Sequence, residues 1–193
     1  MTEYNRAAVH VADRLIDTIQ KLYHGTGQYH TQIDLRCSSN YKDFGRGYYL
    51  TSHRTQAFQW AESKRRGVSC WVFEYKLKDV PDTIRIKELL QYDKDWLNFI
   101  VAHRLYGERD HFDIIYNRMA DNKFNTLSKA VQNYENGEIP AETALRILRF
   151  QRGDRDQFCF KTKASIALLT RTHTYTKSTN GIWHSAETEE ESP

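Results

Sequence analysis

Apolar residues recur at helical spacing over Arg6–Lys21, where Val9, Ala12, Leu15, Ile16 and Ile19 form a stripe and Asp13, Arg14 and Asp17 lie off it. That pattern predicts an amphipathic helix packed on the domain. A short strand over Leu22–His24 follows, and Thr26–Phe44 is polar and without periodicity, a long loop of the kind that tends to carry function. Beyond a strand entered at Tyr48, the helix Thr55–Arg66 presents Ala57, Phe58, Trp60 and Ala61 as its buried face. Ser69–Leu77 alternates Cys70, Val72 and Glu74 with Trp71, Phe73 and Tyr75, a strand with unequal faces that Pro81 breaks. Thr83–Ile86 reads as a short strand and Glu88–Gln91 as a helix. Asp93–Tyr106 is a second helix, with Trp96, Leu97, Ile100, Val101 and Leu105 on one stripe and Gly107 as its stop. Phe112–Tyr116 is a strand, Lys123–Tyr134 a helix ended by Gly137, and Pro140 opens another through Leu148. Asp156–Lys161 is a strand, Lys163–Leu169 a helical turn or two, and Thr170–Thr176 a last strand. From Lys177 the chain is Ser/Thr/Asn-rich and then acidic, which predicts a disordered tail over 177–193.

Strands and helices are interspersed without a repeating βαβ rhythm, so the class expected is α+β. At 193 residues one core suffices, and a single domain over 22–176 is expected, preceded by the 1–21 helix. Aromatics make up 13% of the chain, too many for a disordered or coiled-coil protein. A net charge of +3 does not by itself point to nucleic acid, and clusters such as Lys64-Arg65-Arg66 and Arg146–Arg155 read as solvated surface. Cys37, Cys70 and Cys159 are odd in number and widely spaced, as buried free thiols in a reducing cytoplasm would be. No apolar run approaches the ~18 residues of a membrane span, and no signal-peptide core is visible, so a cytoplasmic location without a membrane partner is expected.

Two stretches carry candidate chemistry. Asp43-Phe44-Gly45-Arg46-Gly47-Tyr48-Tyr49-Leu50-Thr51 places two glycines before an aromatic strand, with Thr51-Ser52 as a helix cap. Upstream, Leu22-Tyr23-His24-Gly25-Thr26-Gly27 ends a strand in a histidine and a glycine. Alone, the first is ordinary β architecture. Together, Tyr23-His24-Gly25-Thr26 and Gly45-Arg46-Gly47-Tyr48-Tyr49-Leu50-Thr51 resemble the first two motifs of the ADP-ribosyltransferase superfamily, in its His-Tyr branch, over roughly Leu22 to Tyr175. The continuation through Gln56, Ala57, Trp60 and Ala61 is similar to a poorly characterised bacterial subfamily.

The resemblance implies a split central pair of β-sheets and NAD as substrate, with the nicotinamide–ribose bond broken. It implies that His24 hydrogen-bonds the adenosine-side ribose and that Gly25 holds the nicotinamide amide. Tyr49 would stack on the nicotinamide ring, with Thr26 and Gly47 also at the dinucleotide. The transition state would be oxocarbenium-like, with geometry and electrostatics supplying most of the rate. The third family position, usually a glutamate on a late strand, falls here on Gln157 within Asp156-Gln157-Phe158-Cys159-Phe160. An amide keeps an acceptor for a ribose hydroxyl but cannot act as a general base. Asp156, its neighbour, points to the opposite face of a regular strand. The implied activity is mono-ADP-ribosyl transfer to a macromolecule, RNA or protein, by a bacterial toxin of a toxin–antitoxin or phage-defence system, with an antitoxin as a possible partner. The positive charge, aromatics and arginines suit single-stranded RNA. Two other readings stand beside it: an NAD glycohydrolase, and a non-catalytic nucleotide- or partner-binding module, which Gln157 favours.

Of the remaining residues, Asp121 reads as the N-cap of the Lys123–Tyr134 helix. His24 and His30 lack a third ligand at useful spacing, so no metal is expected. Thr26–Arg36 and Arg46 border the expected site and are candidates for acceptor recognition.

Overall fold

The computed structural model describes residues 14–64, 70–118, 124–149, 155–177 and 181–187. Within them the chain is α+β, with two four-stranded sheets in one domain. The first contains β1 (Lys21–Thr26), β3 (Trp71–Leu77), β7 (Leu169–Lys177) and β8 (Trp183–Glu187), in that order and antiparallel throughout. The second runs β2 (Tyr48–Leu50), β6 (Asp156–Phe160), β5 (Ile114–Arg118) and β4 (Ile86–Leu89), with β4 parallel to β5. Helices α1 (Arg54–Ser63), α2 (Lys94–Tyr106), α3 (Phe124–Glu135), α4 (Ala141–Leu148) and the short α5 (Lys163–Ile166), with 3-10 turns at Leu15–Thr18 and Leu35–Cys37, complete the described elements.

Strand alternation sorts the apolar side chains into three layers. Leu22, Phe73 and Tyr75 of the first sheet meet Tyr48, Leu50, Phe158 and Phe160 of the second, forming a core between the sheets. The opposite face of the second sheet, through Ile115 and Cys159, packs on Trp96, Leu97, Ile100, Val131 and Leu148 of the helices. The outer face of the first sheet, through Tyr23 and Val72, packs on Ala57 and Ala61 of α1.

The expected helical stripe of α2 is the buried one, with Asp93 capping Trp96 N at 2.8 Å and Gly107 in the left-handed region at φ 60°. Cys70 and Cys159 are buried and Cys37 exposed, and none of the three is in a disulfide. Among the described residues no helix is long and apolar enough to cross a membrane.

Four expectations are corrected. Residues 86–89 form strand β4, where a helix over Glu88–Gln91 was expected, because pairing with β5 (Ile86↔Ile114 to Leu89↔Asn117) outweighs the weak propensity of so short a segment. Trp60 is 40% exposed on α1, and Ala57 and Ala61 alone form its fully buried face, since small residues let the helix lie close to β1. The stretch after Lys177 is not wholly a disordered tail. Its residues 183–187 pair with β7, anchored by Trp183 edge-on against Phe58 at 4.5 Å. Of the N-terminal helix, residues 1–13 lie outside the described residues, and Leu15–Thr18 form a 3-10 turn that buries Ile16. Asp121 and most of the Arg146–Arg155 run also lie outside them.

Candidate functional site

β1 and β2 are edge strands of different sheets, and they meet at one bridge, Tyr23↔Thr51. There each residue donates its N–H to the other's carbonyl, at 2.8 and 3.0 Å. One residue further, the His24 ring stands where backbone pairing would continue, with Nδ1 2.7 Å from the Tyr49 carbonyl oxygen. A carbonyl only accepts, so Nδ1 carries the hydrogen and Nε2 is left as an acceptor. The ring stacks on Tyr48 (centroids 4.2 Å apart, planes at 27°) and lies 5.6 Å from His30. His24 is half-buried. Withdrawal from water pushes its pKa down to about 3 against the opposing pull of the Tyr49 carbonyl, and the nearby His30, Lys42 and Arg171 add to the fall. The imidazole is neutral at physiological pH.

Gly25 follows with no room for a side chain, since a Cβ there would sit 2.0 Å from the Ala57 carbonyl oxygen of α1. Glycine is what lets the helix close over the seam. The start of that helix is set by Asp156, which accepts from Thr51 Oγ1 at 2.6 Å, Ser52 N at 3.0 Å and the Ser52 hydroxyl. An acid at a helix N-terminus is also favoured by the helix dipole. Thr26 Oγ1 accepts from Gln28 N at 3.1 Å and so shapes the first turn of the following loop.

The structure separates the two tyrosines. Tyr48 faces His24 and donates or accepts with Tyr75 Oη at 2.9 Å and His30 Nε2 at 3.1 Å. Tyr49 turns to the helix side of the sheet, where its hydroxyl donates to the Gly45 carbonyl at 2.8 Å and accepts from Phe44 N at 3.1 Å. Burial raises the pKa of both well above the usual phenol value. Tyr48 thus meets His24 through its ring and Tyr49 through its backbone carbonyl, while the Tyr49 ring staples down the loop before it. Gly47 also serves packing: a Cβ would lie 2.3 Å from Cys159 Sγ, and its N–H goes to Ser38 Oγ at 3.3 Å.

Gln157 lies on the same face of the second sheet as Tyr49 and Cys159, opposite to Asp156, as strand alternation requires. Its Nε2 donates to Asp43 Oδ2 at 3.0 Å and approaches Asn117 Oδ1 at 3.4 Å. Asp43 is buried and ion-paired with Arg104. The expected site residues therefore line two sides of β2. His24, which meets the Tyr49 carbonyl, lies between the sheets, and the Tyr49 and Gln157 side chains lie on the helix side.

Four side chains beside them carry no role in the expected chemistry, Tyr48, Arg171, Asp43 and Asn117, and a fifth, His30, falls in the Thr26–Arg36 stretch expected only to border the site. Arg171 reaches the seam because a β-bulge in β7, opposite the Glu74/Tyr75 step, re-aims the strand. Its guanidinium lies over Phe73 at 4.2 Å and donates to Tyr75 Oη at 3.3 Å. A two-residue repeat in Tyr48-Tyr49 announces that the rings diverge, but only the bridge register says which one meets His24. Beyond Arg46 a crevice of about 390 Å³ opens toward Arg109 and Lys161, with Asp110 and Glu108 mixed in its lining.

Residues 20–170 match a family described as a protein of unknown function, DUF3990. The chain belongs to the DUF3990 family. The matched segment contains His24, Gly25, Asp43, Tyr49 and Gln157, so the seam is inside the DUF3990 region, and Arg171 lies one residue past its end. No curated protein and no solved structure matches the chain.

Proposed function

We propose that this protein cleaves NAD at the nicotinamide–ribose bond and transfers ADP-ribose to a macromolecular acceptor. The observation that carries the reading is His24. It is a neutral imidazole held in one tautomer by the Tyr49 carbonyl, at the place where the edge strands of two sheets meet at a single bridge. A fixed Nε2 acceptor suits a ribose hydroxyl, and a neutral ring does not repel the cationic nicotinamide. In the reaction the C–N bond breaks with its electron pair leaving on nicotinamide, whose ring nitrogen thereby loses its positive charge. A nucleophile on the acceptor then bonds to the anomeric carbon and gives up its proton. Gln157 contributes an acceptor oxygen near the developing cation and no proton transfer, so the rate rests on positioning. The acceptor in this reading is RNA or protein, and the biological role that of a toxin.

The test uses the purified chain with NAD labelled in its adenylate half, incubated with lysate and separated into protein, RNA and DNA. Label on one macromolecular fraction is the expected result. Free labelled ADP-ribose in place of it assigns water as the acceptor, and the activity becomes NAD hydrolysis. NAD recovered intact overturns the enzymatic reading and leaves a binding module.

A further inference from the structure

Gln157 has two ends that a carboxylate would not distinguish and that its surroundings do. Asp43 Oδ2 lies 3.0 Å from Nε2, and a carboxylate can face only the N–H end of an amide. Asp43 is itself held by Arg104 through its other oxygen, and is buried at 6% exposure, so it does not turn away. On the far side Asn117 Oδ1, another acceptor, also faces Nε2 at 3.4 Å. Arg104, Asp43, Gln157 and Asn117 thus form a directed chain, each donor facing an acceptor. The Gln157 carbonyl oxygen takes no hydrogen bond from the described residues, and Gln157 is half-buried, so that oxygen is the end left for a ligand.

A second sign comes from Asn117. The residue is fully buried and its Nδ2 has no partner among the described residues. An unpaired buried donor of this kind is unfavourable, and a hydroxyl arriving beside Gln157 would give it an acceptor.

We propose that Asp43, anchored by Arg104, is the positioning residue of this site, fixing the Gln157 amide so that its oxygen faces a ribose hydroxyl. This rests on the NAD reading for the identity of the ligand. It also explains why an amide and not a carboxylate stands at 157. A glutamate there would place two carboxylates about 3 Å apart, and one would be forced to take a proton. The acid is present in this protein, but one shell back, in the loop that Tyr49 staples to the sheet.

The experiment is a four-member cycle on the full chain: wild type, Asp43→Asn, Gln157→Glu and the double variant. Asp43→Asn keeps the shape and lets the amide turn either way, so kcat falls roughly ten-fold while the KM for NAD moves less than about three-fold. Gln157→Glu alone loses a similar factor and lowers the thermal midpoint by about 3–6 °C at pH 7. The double variant restores one carboxylate facing one amide, with rate and midpoint returning to within about three-fold and 2 °C of wild type. Effects that multiply in the rates and add in the midpoints overturn the role of Asp43 and leave the NAD reading untouched. A wild-type chain that neither binds nor consumes NAD overturns that reading, and with it the ligand named here, even where the midpoints couple.

Discussion

On one side β2 runs beside β6 as a ladder of three consecutive pairs, Tyr48↔Phe160 to Leu50↔Phe158. On its other side it touches β1 at a single bridge, after which the His24 ring takes the Tyr49 carbonyl in place of a backbone N–H. A buried carbonyl must have a donor, so where backbone pairing stops a side chain is recruited. The ladder needs only residues that pack, and its faces are Phe158, Cys159 and Phe160, all fully buried. The seam needs particular chemistry: a ring that donates from one nitrogen, a following residue without a Cβ, and an acid that organises the next helix. The same strand is therefore held by backbone pairing along one edge and by a side chain along the other.

The contrast is broken most severely at Gly25. A Cβ 2.0 Å from the Ala57 carbonyl has to displace α1, so Gly25→Ala is expected to cost more than about 3 kcal/mol, measured by urea denaturation. An unchanged midpoint would mean that α1 is not seated on the seam. Next, His24→Ala removes both the ligand acceptor and the donor to Tyr49. NAD turnover should drop at least about 100-fold, with a stability loss of only about 1–3 kcal/mol. Tyr49→Ala should also abolish turnover, here by freeing the loop that carries Asp43 and Gly45. Wild-type rates in both variants would remove the seam from the mechanism. The last test is pH. The unfolded His24 takes up a proton near its ordinary pKa of 6.5 and the folded one only near 3. Between those values the unfolded state binds more protons, so stability is full above about 6.5 and declines as pH falls toward 3. The slope for this group approaches about 1.4 kcal/mol per pH unit. In His24→Ala that part of the slope should vanish, and a slope the same as wild type would show that the ring is not withdrawn from water as described.

Much of this could be read from the chain before any coordinates. The alternation of Trp71–Leu77 and the stripe of α2 mark their buried faces because each element's period is local. Gly25 and Gly47 read as backbone close to a ligand, and it took the fold to show that Ala57 and Cys159, both remote in sequence, are what leave no room for a side chain there. Residues 86–89 and 183–187 were misjudged for one reason: short polar segments become strands only when a neighbour offers its edge. The candidate site was half legible. His24 and Gly25 lie together in the chain, but nothing local says that the first ring of Tyr48-Tyr49 meets the histidine, or that the acid in the loop, Asp43, meets Gln157 across 114 positions.

Residue type and short-range order thus settled the class of fold and the buried stripes, since propensity and periodicity act over a few neighbours. Register settled the rest. Which side of β2 each ring occupies, that a histidine replaces a backbone donor, and that an amide is aimed by a distant carboxylate all depend on how two sheets are brought edge to edge. Interactions at 3 Å between segments a hundred residues apart leave no trace in local pattern.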